Sequence, residues 1–134
     1  MLSIITIFLL LATVATGQGK KTIKDKGITT ITVEEYFIEE GMDEPVIESI
    51  EKFDKEGDLI ELQVFNKRGD YKTWEKYVYN DNGDMVEQVF LDVKGRIIET
   101  EKTIYNGKLK TEKQYFNNKG NLYKKKVYKY EYRP

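Results

Sequence analysis

Between Phe53 and Leu122 the chain repeats one short turn unit six times, and nothing else in it constrains the fold as strongly. The copies are FDKEGDL (53–59), FNKRGDY (65–71), YNDNGDM (79–85), LDVKGRI (91–97), the shortened YNGKL (105–109) and FNNKGNL (116–122). In the full-length copies an Asp or Asn stands three positions before a glycine. That spacing suits a type I turn whose side-chain oxygen caps the turn's own backbone. The glycine then supplies the positive φ that lets a hairpin close with the correct twist. Gly57, Gly69, Gly83, Gly95, Gly107 and Gly120 are therefore read as structural turn residues. The Asn106-Gly107 copy lacks two residues and is expected to close as a two-residue type I′ turn.

The steps between these glycines are 12, 14, 12, 12 and 13 residues. A step of that size leaves roughly eight residues of strand and four of turn. If successive turns lie at opposite ends of the sheet, the structural repeat is a hairpin of 24 to 26 residues. Gly27 and Gly41 extend the series toward the N-terminus, so IKDKGIT (23–29) reads as a degenerate copy within a polar lead-in. The β-branched and aromatic residues of Ile28 to Ile38 predict a strand, and their change of parity suggests a bulge near Glu34 and Glu35. The expected fold is all-β: an antiparallel meander of about eight or nine strands, open in preference to a closed barrel. Residues 18–134 form one repeat domain, most regular over 53–132.

Ahead of it, Ile4 to Val14 is almost wholly apolar and is followed by Ala15, Thr16 and Gly17. A run that short, ending in small residues, predicts a secretory signal peptide over 1–17, although no Lys or Arg precedes it. A buried N-terminal strand or helix suits it less well. The expected location is secreted, periplasmic or at the cell surface. With no cysteine in the chain, stability there rests on burial and sheet hydrogen bonds.

Charge is balanced in sum but not in place. Residues 18–65 hold 6 Lys against 13 Asp and Glu, a net of −7, and residues 66–134 hold 16 Lys and Arg against 10 acids, a net of +6. Such polarity protects strand edges, steers a charged partner, or permits head-to-tail self-association.

Units of the form aromatic–Asp/Asn–x–x–Gly–x–apolar resemble the YD (Rhs-type) repeats of bacterial surface and toxin proteins. They also resemble the MORN-variant hairpin repeats of exported or antitoxin-like bacterial proteins. The resemblance runs over Phe53 to Tyr132 and implies tandem hairpins, with no catalytic residue to carry across. Here the leading residue is Phe, Tyr or Leu, and Asn often replaces Asp.

The chain contains no His or Cys, and its only Ser beyond residue 17 is Ser49. Those absences remove Ser–His and Cys–His nucleophile systems and the usual zinc ligand sets, and no cofactor is expected. Asn80-Asp81-Asn82-Gly83-Asp84 superficially resembles a calcium loop, but its glycine and its twelfth residue do not fit, so it reads as turn chemistry. The aromatics are the better candidates for ligand binding. They are Trp74, the single tryptophan, and the alternating Tyr128, Tyr130 and Tyr132, which share a parity with Leu122, Lys124 and Lys126. Tyr71, Tyr77 and Tyr79 share a parity opposite to that of Trp74. The expected function is a non-catalytic exported module that binds a protein or a cell-envelope polysaccharide, and no nucleic acid. An antitoxin- or immunity-like partner of a secreted toxin is the alternative, and a carboxylate-based glycan-active enzyme is a remote one.

Overall fold

The structure, a computed structural model, describes residues 19–41 and 44–134. The segment read as a signal peptide lies outside the described residues. Among the described residues eight strands form one antiparallel sheet in strict sequence order. They are β1 (Thr30–Glu35), β2 (Val46–Phe53), β3 (Leu59–Phe65), β4 (Tyr71–Tyr79), β5 (Met85–Leu91), β6 (Ile97–Asn106), β7 (Leu109–Phe116) and β8 (Leu122–Val127). β1 and β8 are the outer strands, so the meander is open and not closed into a barrel.

The five full-length turns share one construction. In each, the Oδ1 of Asp54, Asn66, Asn80, Asp92 or Asn117 accepts the backbone N–H groups two and four residues on, at 2.9–3.0 Å. At Asp92 the Arg96 N–H, helped by the Arg96 guanidinium and the Lys94 N–H, holds the carboxyl below its ordinary pKa. The Asn80 cluster is thus a turn device. In the short copy Asn106 pairs with Leu109, so the loop is Gly107–Lys108 and not Asn106-Gly107. Only Gly107 has positive φ there, which is the demand of type II′; type I′ needs it at both positions.

Two N-terminal expectations change. Lys20–Lys26 is a short helix, α1, and not a copy of the turn unit. Gly27 ends it in the left-handed region, its N–H directed to the carbonyls of Ile23 and Lys24. Gly41 likewise ends a 3-10 turn, Ile38–Glu40. Seven residues do not hold a helix in water unaided. Here Ile23, fully buried, docks on Phe53, Leu59 and Tyr77, and with them forms the core. The bulge expected near Glu34 is present, between Val33 and Glu34.

Register shifts at the hairpins change which side chains share a face. Tyr71 pairs with Phe65 while Thr73 pairs with Val64, so Tyr71 joins Trp74 on the face away from α1, opposite to Tyr77. Similarly Leu122 pairs with Phe116 and Lys124 with Tyr115, which puts Leu122 and Lys124 on opposite faces. Parity counted straight through a bulge gives the wrong face for every residue beyond it.

A tyrosine relay joins the hairpins at the α1 end. The phenol of Tyr79 donates to the Leu59 carbonyl at 2.7 Å, Tyr105 to Met85 at 3.2 Å and Tyr130 to Lys110 at 2.6 Å. Each acceptor sits where its hairpin shifts register: Leu59 opposite Phe53, Met85 opposite Tyr79, Lys110 opposite Tyr105. The phenols supply donors at the corners where the ladder is disturbed.

Burial, with the nearby Asp58 and Asp54 charges, pushes the Tyr79 phenol up to about 12. The folded state therefore favours the protonated phenol, and this contribution is complete below the unfolded value near pH ~10. It disappears as pH rises from there through about 12. Spectrophotometric titration is expected to show Tyr79 ionising only as the fold is lost. A normal, reversible ionisation of Tyr79 with the sheet intact would contradict its buried placement.

Candidate functional site

The four aromatics singled out from the sequence fall in two separate places. Trp74 lies on β4, half-buried. Its indole N–H donates to Glu61 Oε1 at 2.9 Å, and its ring stacks on Tyr71 with centroids 5.3 Å apart and planes 11° from parallel. Tyr71 in turn meets Phe65 at 4.7 Å. A Cβ on Gly95 would come within 3.3 Å of the Trp74 ring, so the β5–β6 turn covers one edge of the indole. These contacts fit Trp74 into a cross-strand aromatic cluster.

Tyr128, Tyr130 and Tyr132 follow β8, four strands away from Trp74 and at the opposite end of the sheet. Strand spacing alone separates β4 from β8 by roughly 19 Å. Tyr128 extends the β7–β8 ladder through its N–H, at 3.0 Å from the Thr111 carbonyl. Tyr130 is committed through its hydroxyl to Lys110, yet its ring is exposed. Tyr132 is 78% exposed.

Beside them is a group that sequence parity did not bring together. Tyr115 is buried on β7, with Lys124 Nζ 4.0 Å, Lys113 5.3 Å and Lys126 5.6 Å from its ring centroid. Ammonium groups over an aromatic face are attracted by its quadrupole. Lys113 also pairs with the buried Glu101 at 2.9 Å. Burial opposes the Lys113 charge most strongly of any one influence, but the hydrogen bond and charge of Glu101, with smaller help from Tyr115 and Tyr128, together raise the pKa above the ordinary value. Lys124 and Lys126 make no ion pair of that kind among the described residues. Tyr123 donates to Glu99, and that hydrogen bond, with some burial, pushes its phenol up to about 12. The only sequence hint of this group was the lysine run at 124–126.

Every residue of β8 is exposed, and among the described residues β8 is bonded on one side only, to β7. The Tyr128 N–H points inward to Thr111, and pairing alternates from there. The N–H groups of Lys125 and Val127 therefore face outward. An edge with free donors, lysines along it and exposed tyrosines at its end can add a polypeptide strand.

Among the described residues no group of three or more acidic side chains is arranged to hold a metal ion. No described helix is long and apolar enough to cross a membrane. No protein-family model, curated protein or solved structure matches the chain, so the resemblance to YD and MORN-variant repeats rests on the turn units themselves.

Proposed function

We propose that the protein is an exported, non-catalytic interaction module that meets a protein partner at the β8 edge. The carrying observation is that edge itself: exposed throughout, unpaired on its outer side, and lined by Lys124, Lys125 and Lys126. Export rests on the apolar run before Gln18. The lysines make an acidic segment the preferred partner, and Tyr128, Tyr130 and Tyr132 extend the contact beyond the strand. A secreted toxin, the partner that the repeat resemblance implies, would be met at the same edge.

The test is a titration with a synthetic peptide of alternating glutamate and valine, followed by aromatic NMR shifts and tryptophan fluorescence. The ring signals of Tyr128, Tyr130 and Tyr132 are expected to move while Trp74 emission stays constant. A response of Trp74 with silent tyrosines would overturn this reading. So would an equal response to an anionic polysaccharide, because that partner has no backbone to pair with β8.

A further inference from the structure

We infer that the β8 edge is built to receive β1 of a second copy of the same chain, a step that rests on the edge reading above and names its occupant. In this sheet each even strand passes its neighbour to the next hairpin. Tyr79 and Tyr105 stand at the ends of β4 and β6, and each pairs with the strand that follows. Tyr130 makes the same hydroxyl bond, 20 residues back, as Tyr79 and Tyr105. No strand among the described residues follows it, so β8 presents the side that β4 and β6 present to β5 and β7.

The register of the repeat predicts what a following strand would meet. Glu75 and Glu101, four residues before Tyr79 and Tyr105, pair with Phe90 and Tyr115. The two pairings are counterparts, although the β6–β7 hairpin is shorter. The equivalent position on β8 is Lys126. On their other sides Phe90 and Tyr115 pair with Glu99 and Lys124, six residues before Tyr105 and Tyr130. On β2 the bulge at Glu48 falls inside that six-residue count, so the match is made one pair earlier: Gln88 lies between Tyr77 and Glu101, whose counterparts on β8 and β2 are Tyr128 and Ser49, and Ser49 pairs with Val33. Continuing the repeat with β1 of another copy therefore sets Val33 against Tyr128, Glu35 against Lys126, and Glu34 against Val127 and diagonal to Lys125.

The direction also fits. Strands alternate along the meander, so β1 of a copy displaced along the sheet lies antiparallel to β8, with its turns at the same ends. Charge selects this arrangement over its rivals. Two β8 edges would place lysine runs against each other, and two β1 edges would oppose glutamates. Only β1 against β8 joins opposite signs. Because this contact is heterologous and need not close, it adds copies one after another instead of stopping at a dimer.

Light scattering on the chain over a concentration series, at low and high salt, tests the inference with two charge-reversed variants. One carries E34K and E35K, and the other carries K125E and K126E. The wild-type mass is expected to climb steadily with concentration and to fall back in high salt. Each variant alone should associate at least about tenfold more weakly, while an equimolar mixture of the two regains association. That recovery shows that both variants are folded. A wild-type chain that stays monomeric to millimolar concentration at low salt overturns the inference, as does association that both variants retain alone. A monomeric chain whose tyrosines still answer the glutamate–valine peptide loses only the self-pairing, and one silent to the peptide loses the edge reading too.

Discussion

Gly57→Ala is expected to destabilise the protein by about 2–4 kcal/mol, far more than the same change at Gly69 or Gly83. All three glycines have φ between 80° and 86°, so each alanine carries a left-handed penalty of about 1 kcal/mol. At Gly69 and Gly83 a Cβ would meet nothing within 4 Å. At Gly57 it would stand 2.6 Å from the Lys20 carbonyl oxygen and 3.3 Å from Lys24 Cβ, both in α1. Backbone cannot yield as a side-chain tip does, so the helix has to move. If α1 lifts, Ile23 leaves the core, at a cost of about 1.5–3 kcal/mol. The Lys20–Asp58 and Lys24–Glu56 pairs, each 2.8 Å, also part, but with both lysines exposed they add little. Urea unfolding of the three variants gives the comparison, and Gly95→Ala should fall between, since only the Trp74 ring must shift. Equal losses at Gly57, Gly69 and Gly83 would show that α1 does not rest on the first turn.

Removing the tyrosine relay is the second large effect. Tyr79→Phe, Tyr105→Phe and Tyr130→Phe each delete one hydroxyl and leave the ring in place. A hydrogen bond of this kind contributes about 0.5–1.5 kcal/mol, and the half-buried Tyr79 should lie at the upper end of that range. Tyr130, whose ring is exposed, should lie at the lower end. The three bonds are on separate strands and share no partner, so their losses should add to about 2–4 kcal/mol in the triple variant. Thermal unfolding of the single, double and triple variants measures this. A triple variant as stable as the parent would mean that the carbonyls of Leu59, Met85 and Lys110 find water just as readily.

Turns and strands were legible in the sequence because their chemistry is local. An Asx three residues before a glycine specifies its own hydrogen bonds whatever the rest of the chain does. All eight glycines of the extended series have positive φ, Gly27 and Gly41 included. Two of the eight, however, end helical turns, and a glycine alone does not say which structure it ends. The helix α1 was hidden because KKTIKDK offers one apolar side chain, Ile23, and a single residue has no periodicity. Sheet faces were hidden for another reason: a bulge changes parity without changing composition, as at Tyr71 and Leu122.

At the candidate site the same limits apply. The lysine run and the exposed Tyr132 could be read directly, but the collar around Tyr115 depends on the register between β7 and β8. The relay did leave a trace, since at its end of the sheet Tyr leads the units at 79 and 105 after Phe53 leads the first, while Phe65, Leu91 and Phe116 lead those at the other end. That alternation marks one end of the sheet and points to a role for the hydroxyl.

The claim that the protein works through its β8 edge is tested most directly by amide hydrogen exchange across β8, with the edge free and with it occupied. In dilute solution the inward N–H groups of Lys126 and Tyr128 should be protected, and those of Lys125 and Val127 should exchange freely. With the edge occupied, by a second copy at high concentration or by the glutamate–valine peptide, Lys125 and Val127 should slow to match their neighbours. Outward amides that exchange as fast when the edge is occupied as when it is free would contradict the account.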